Sequence, residues 1–228
     1  MPPRPALPTG QPALDRALGT GGWPRGALAL LDAPAGSGAT SLALGTLAAC
    51  QASGGQVAYL DPAGSLDPAT ASRLGVDLAW LLVVRPADAA EAVELASWLA
   101  REGRIDAMVL DLAGTLLPRG LDRLADLLVR SGGVTLLLAG AGRESAGRVA
   151  GVRVALQRRA WLAVGRDLVG QRVEAIVTRQ RWALAGGRAE LDLFFAEGRR
   201  VDALLHAAAQ PLAPDATVEV PSLRAVGA

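Results

Sequence analysis

Lysine is missing from this chain: all 23 basic residues in its 228 positions are arginine. Chemistry that rests on an ammonium side chain is therefore closed to it, and no lysine can reach into a phosphate site from elsewhere in the chain. Cysteine occurs once, as Cys50 within an apolar helical pattern. An internal disulfide is excluded, and a single thiol in that setting reads as a small core residue in a reducing compartment. Histidine also occurs once, at His206 in "VDALLHAAAQ". Alone it makes no metal cluster, so no metal site is expected, and with no nucleophile motif beside it a Ser-His-Asp hydrolase is excluded. No apolar run reaches the roughly 20 residues of a membrane helix, and the Pro-rich start "MPPRPALPTG" lacks the apolar core of a signal peptide. A soluble cytoplasmic protein without a membrane partner is expected. Aromatic residues make up only 4%. Trp23, Trp80, Trp98, Trp161 and Trp182 are scattered, which suits packing or partner contact better than base stacking.

What is present is ample apolar material, 51% of the residues, enough for the core of one large domain. Net charge is close to zero, but between Arg143 and Arg200 there are 12 arginines against 6 acids. Arg143, Arg148, Arg158 and Arg159 are candidates for an anionic partner, nucleic acid or protein, if they converge on one face. The other reading, solvated arginines on strand faces, stays open.

Strand-like and helix-like runs alternate. "ALALLD" (Ala27 to Asp32), "QVAYLD" (Gln56 to Asp61), "LLVVRP" (Leu81 to Pro86), "IDAMVLD" ending at Asp111 and "VTLLLAG" are short apolar runs with strand character. Between them lie the helical patterns "TSLALGTLAACQASGG", "DPATASRLG", "EAVELASWLAREG" and "LDRLADLLVRSGG". That order predicts an α/β fold with a mostly parallel sheet covered on both faces. After Arg143, "VRVALQRR", "QRVEAIVTRQ" and "AELDLFFAEG" alternate with period two around Gly186 and Gly187, predicting antiparallel strands that extend the sheet. Residues 1–8 read as a Pro-rich tail, 9–210 as the core domain and 211–228 as a loosely held tail.

The first strand runs into "DAPAGSGATS" (Asp32 to Ser41), which half meets the phosphate-loop pattern GxxxxGK[ST]. Such a loop works because glycines let backbone N–H groups close on phosphate oxygens at a helix N-terminus, a lysine neutralises the outer phosphates, and a hydroxyl holds magnesium. Gly36, Ser37, Gly38, Thr40 and Ser41 keep the backbone and hydroxyl parts, whereas Ala33 replaces the first glycine and Ala39 the lysine.

Together with "GGQVAYLDPAGSLDPATASRLGVDLAWLLVVRP", "IDAMVLDLAGTLLPRG" and "RVEAIVTRQRWALAGGRAELDLFFAEG", this segment resembles the core of RecA recombinases in order and spacing. The resemblance covers most of residues 9–205. It implies the RecA-like variant of the phosphate-loop NTPase fold, a twisted, mostly parallel sheet flanked by helices. It also implies that Asp111 matches the magnesium-organising aspartate and Thr40 the metal hydroxyl. Other positions depart from the pattern: Ala63 stands for the water-activating glutamate, Thr70 for an adenine-stacking tyrosine and Gly142 for a γ-phosphate-sensing glutamine. Loss of the lysine contact removes ~1.5–3 kcal/mol of binding, and loss of a general base a further ~10²–10⁴ in rate. No catalytic residue is expected, only a vestigial pocket at Gly36, Ser37, Gly38, Thr40, Ser41 and Asp111 with room for weak ATP/Mg binding. Both DNA-contacting loops of the family are truncated here.

The implied function is that of a pseudo-ATPase, similar to the degenerate ImuA and SulA-like relatives of RecA. On this reading it is an accessory protein of the SOS damage response and translesion synthesis that binds RecA, a translesion polymerase or another protein. A weak single-stranded DNA module, a weak nucleotide-binding module and a division inhibitor are the alternatives.

Overall fold

The computed structural model describes residues 6–113, 117–139, 143–195 and 210–212. The expectations for Gly142, for His206 and for the tail after Leu212 lie outside the described residues.

A short ribbon of β1 (Ala6–Leu7) and β2 (Trp23–Pro24) brackets helix α1 (Pro12–Ala17). Then come β3 (Leu28–Asp32), α2 (Ala39–Ala52), β4 (Val57–Leu60) and α3 (Pro68–Arg73). A 3-10 turn (Leu78–Trp80) leads into β5 (Leu81–Val84), followed by α4 (Ala89–Glu102), β6 (Ala107–Leu112), α5 (Leu121–Ser131) and β7 (Val134–Ala139). Helix α6 (Arg143–Val149) precedes the long strands β8 (Val152–Val164), β9 (Asp167–Gln180) and β10 (Arg188–Phe194), and β11 (Gln210–Leu212) pairs with β8.

Nine strands form one sheet in the order β10-β9-β8-β3-β7-β6-β4-β5, with β11 off this path. Strands β3 to β7 run parallel, β8 joins β3 in parallel, and β8, β9 and β10 continue antiparallel. The mixed sheet is the one the change of periodicity after Arg143 predicts.

Alternation within the buried strands divides the core. On β3, Ala29 and Leu31 face the layer built by α1, α2 and α3, whereas Leu28 and Leu30 face α4, α5 and α6. Strand β6 does the same, with Val109 on one side and Met108 and Leu110 on the other. Strands buried on both faces must be apolar at every position, which is why they read as continuous runs. Helix α2 is apolar nearly all round and buries Leu42, Leu44, Leu47 and Cys50. The one polar group in its buried interior, Thr46, accepts from Trp23 Nε1 (3.1 Å) and reaches the carbonyls of Thr9 (2.9 Å) and Leu42 (3.1 Å). That hydroxyl ties the N-terminal ribbon to the core.

Candidate functional site: a closed phosphate loop

Strand β3 delivers the chain to the loop at Asp32, and Gly36 (φ +73°) and Gly38 (φ +86°) adopt left-handed backbone that side-chain-bearing residues rarely take. Gly38 caps α2. Ser37 is buried, with its backbone N–H 3.2 Å and its hydroxyl 2.5 Å from the Pro34 carbonyl, so that hydroxyl is turned into the loop and not outward. Thr40 is exposed and Ser41 half-buried on the first turn of α2. Residues Ala33 to Ser41 line a cavity of about 380 Å³ with Ala113 after β6, Leu138 and Ala139 of β7, and Trp161, Gln171 and Phe195 from the C-terminal strands.

The cradle is occupied from within. Gln171 on β9 is buried, and in the orientation its partners dictate its amide nitrogen donates to Gly36 O (2.9 Å) while its oxygen accepts from Gly38 N–H (3.2 Å). A phosphate-binding loop needs that N–H for its anion; here a neutral side chain takes it. Leu193 of β10 closes the same side, and a Cβ at position 38 would meet Leu193 Cδ1 at 2.4 Å and the Gln171 amide at 2.9 Å. Gly38 is thus required by packing as well as by its own backbone.

A cation does reach the loop. Arg158 Nη1 donates to Gly36 O (3.3 Å), its guanidinium lies 4.2 Å from the Trp161 ring centroid, and its Nε is buried with no hydrogen-bond partner among the described residues. Trp161 meets Phe195 edge to face at 6.2 Å. Arg158 was a candidate for an anionic partner in the sequence, but its place at the loop, like those of Gln171, Leu193, Trp161 and Phe195, comes from the β8–β9–β10 register.

Asp111 is buried at the end of β6 and does not line that cavity. Its carboxylate accepts from Tyr59 Oη (2.8 Å), Ser65 Oγ (3.3 Å) and Ala113 N–H (3.1 Å). Burial, followed by the Asp111 charge and hydrogen bond, pushes the Tyr59 hydroxyl far above its ordinary range and keeps it a donor. Beside it the buried Asp61 carboxylate accepts from the N–H groups of Ser65 (2.9 Å) and Leu66 (2.9 Å). The segment carrying Ala63 is thereby fastened to the sheet by two aspartates, while Ala63 itself is exposed. Thr70 holds the α3 cap, its hydroxyl 2.5 Å from Asp67 Oδ2.

Of the arginines singled out in the sequence, Arg158 and Arg159 are engaged within the chain. Arg158 is committed to the loop and Arg159 pairs with Glu174, which also receives Arg188 (3.0 Å). Arg148 is exposed on α6, and of Arg143 the structure describes only its helical backbone. Arg153 pairs with Asp32, and Arg172 with Asp192 (2.7 Å). Among the described residues no group of His, Cys, Asp and Glu is placed to hold a metal ion, and no helix is long and apolar enough to cross a membrane.

Comparison with known proteins gives the family and the fold. The family model for the RecA N-terminal domain matches residues 4–126. Protein RecA of Nocardia farcinica is 34% identical over 228 aligned residues, covering 84% of this chain and 66% of the relative. Protein RecA of Frankia casuarinae is 46% identical over 118 residues, 52% of this chain and 34% of the relative. The chain thus spans from about a third to two thirds of the length of these relatives. The crystal structure of the RadB recombinase superposes with a TM-score of 0.64 at 21% identity, covering 82% of this chain and 95% of that one, and establishes the likeness of fold. A parallel sheet with a phosphate loop after β3, antiparallel strands beyond β8, and a matched family model over more than half its residues place this chain in the RecA recombinase-like family.

Proposed function

We propose that this chain is a non-catalytic RecA-like accessory protein that acts by binding a protein partner in the damage response, RecA or a translesion polymerase. The observation that carries the reading is the Gln171 amide bridging Gly36 and Gly38, in a loop whose lysine position is Ala39. A nucleotide entering the cradle gives up two internal hydrogen bonds, about 0.5–1.5 kcal/mol each, and finds no ammonium in return. With Ala63 also lacking a carboxylate, hydrolysis has neither its electrostatic clamp nor its base.

The partner half rests on the free edge of the sheet. Among the described residues β5 pairs only with β4, and around it Leu78, Trp80, Leu82 and Val83 are exposed, Trp80 at 67%. An unpaired edge flanked by large apolar side chains is a template for another chain. Pull-down of purified RecA and of a translesion polymerase on the immobilised protein tests this half. Retention that is lost with Leu82→Arg is expected, and failure to retain either protein contradicts it.

A second reading, weak anion binding at the loop, is favoured by the unmatched Arg158 Nε. Titration with a fluorescent ATP analogue separates the two: the accessory reading expects no saturation at millimolar nucleotide, whereas the anion reading expects saturation that Arg158→Leu abolishes.

A further inference from the structure

Helices α4 and α5 hold between them a groove of about 390 Å³, on the face of the sheet opposite α2. Glu94, Trp98 and Arg101 follow one another along the exposed side of α4, while Arg119 and Arg123 flank Gly120, the residue that caps α5. Trp98 is 54% exposed although it lies in the groove wall. Arg101, Arg119 and Arg123 are exposed, and none makes an ion pair or hydrogen bond among the described residues. The contrast with the C-terminal strands is direct, since there Arg153, Arg159, Arg172 and Arg188 are neutralised by acids of the same chain.

We propose that this groove binds a short acidic segment of a partner protein, its carboxylates between Arg101, Arg119 and Arg123 and an apolar side chain against Trp98. The proposal rests on the reading of the chain as a protein-binding scaffold but uses a surface separate from the β5 edge.

Three features select a peptide over a nucleic acid. The positive charge is short: the exposed acids Glu91, Glu102, Asp122 and Asp126 on the same two helices break up any longer basic track. A single strand of nucleic acid needs a continuous cationic groove and successive stacking platforms, and here one ring is available. Planar guanidiniums suit paired carboxylates, and a half-exposed tryptophan is a typical anchor of a protein interface.

The test uses the full chain and a fluorescein-labelled twelve-residue peptide of repeating Asp-Leu-Glu, followed by fluorescence anisotropy. Its neutral Asn-Leu-Gln counterpart and a twelve-nucleotide oligothymidylate serve as competing probes. Saturable binding of the acidic peptide is expected, at least about tenfold weakened by Arg101→Glu with Arg123→Glu and by Trp98→Ala. The neutral peptide is expected not to bind, and Leu82→Arg to change nothing. Circular dichroism melts confirm that each variant folds, which these exposed positions permit. Absence of saturation at millimolar peptide overturns the proposal, as does retention of full affinity in the double arginine variant. Tighter binding of oligothymidylate than of the peptide also overturns it and makes the groove a nucleic-acid site. Because Leu82→Arg probes the β5 edge alone, failure here leaves the accessory reading to stand or fall on its own pull-down.

Discussion

Gly38 shows how a glycine of the phosphate-loop pattern can serve packing. In the phosphate-loop pattern the glycine exposes N–H groups to an anion, whereas here it lets Leu193 and Gln171 close over the loop. It follows that restoring the lysine does not by itself restore a nucleotide site. Ala39→Lys is expected to leave affinity for a fluorescent ATP analogue within about twofold of wild type, because the cradle stays bridged. Adding Gln171→Ala is expected to raise it at least about tenfold, the scale of one charge-assisted contact. Equilibrium titration of the two variants checks this, and a tenfold gain from the lysine alone would contradict the closed cradle.

Cys50 supplies a second residue-scale prediction. Burial, then the nearby Asp106 charge, pushes its thiol up to about 11. At pH 8 its reaction with an aromatic disulfide reagent is expected to be at least about 100-fold slower in the native protein than in urea, since the thiolate is the nucleophile. Comparable rates in the two states would show that the core around α2 opens readily. The alanines at 39 and 63 were legible because a motif assigns meaning to each of its positions. Gln171 was not, because its role comes from strand pairing far along the chain from the loop it fills.

At the scale of elements, one hydroxyl of α2, that of Thr46, hydrogen-bonds both to Trp23 of the N-terminal ribbon and to the Thr9 carbonyl beside it. Thr46→Val keeps the volume but strands the Trp23 N–H and the Thr9 carbonyl, and is expected to lower unfolding free energy by about 1–3 kcal/mol in urea titration. Trp23→Phe combined with Thr46→Val is expected to recover part of that loss.

The β9–β10 hairpin carries a pH-dependent contribution. Hydrogen bonds from Arg159 and Arg188 hold the Glu174 carboxyl below its ordinary range. A depressed folded-state value means that the stabilisation is present above the carboxyl's unfolded value and is lost as pH falls through the folded one. Between pH 7 and pH 3 the urea midpoint of the wild type should therefore fall more than that of Glu174→Gln; equal falls would dismiss the pair.

Helix α2 fills the long apolar run that Gly54 and Gly55 end. Strands β3 to β7 and helices α4 and α5 stand where the apolar runs and the 3.6-residue pattern put them, because fully buried strands and amphipathic helices announce themselves. Helix α6 did not. "RESAGRV" is small and polar with no apolar stripe, and it is helical here with Ala146 buried beneath it. The arginine pairs of β8 to β10 were equally hidden, because register decides which charge faces which, and β8 shifts its register between Arg158 and Ala160.

For the whole molecule, Gln171 and Leu193 of the strands beyond β8 reach the loop, beside a cavity of about 380 Å³ that loop and strands line together. Among the described residues, the sheet edge at β5 and the groove between α4 and α5 are also uncovered. On the proposed reading, a bridged loop beside uncovered apolar and cationic surfaces suits a chain that other proteins hold. The most direct test of that account is steady-state ATP hydrolysis by the purified chain, with and without single-stranded DNA, against Thr40→Ala/Ser41→Ala prepared in the same way. The account predicts equal, background rates for both proteins under both conditions. Turnover by the wild type well above the variant would contradict it, and would mean that Gln171 yields to nucleotide and that the loop is still an enzyme's.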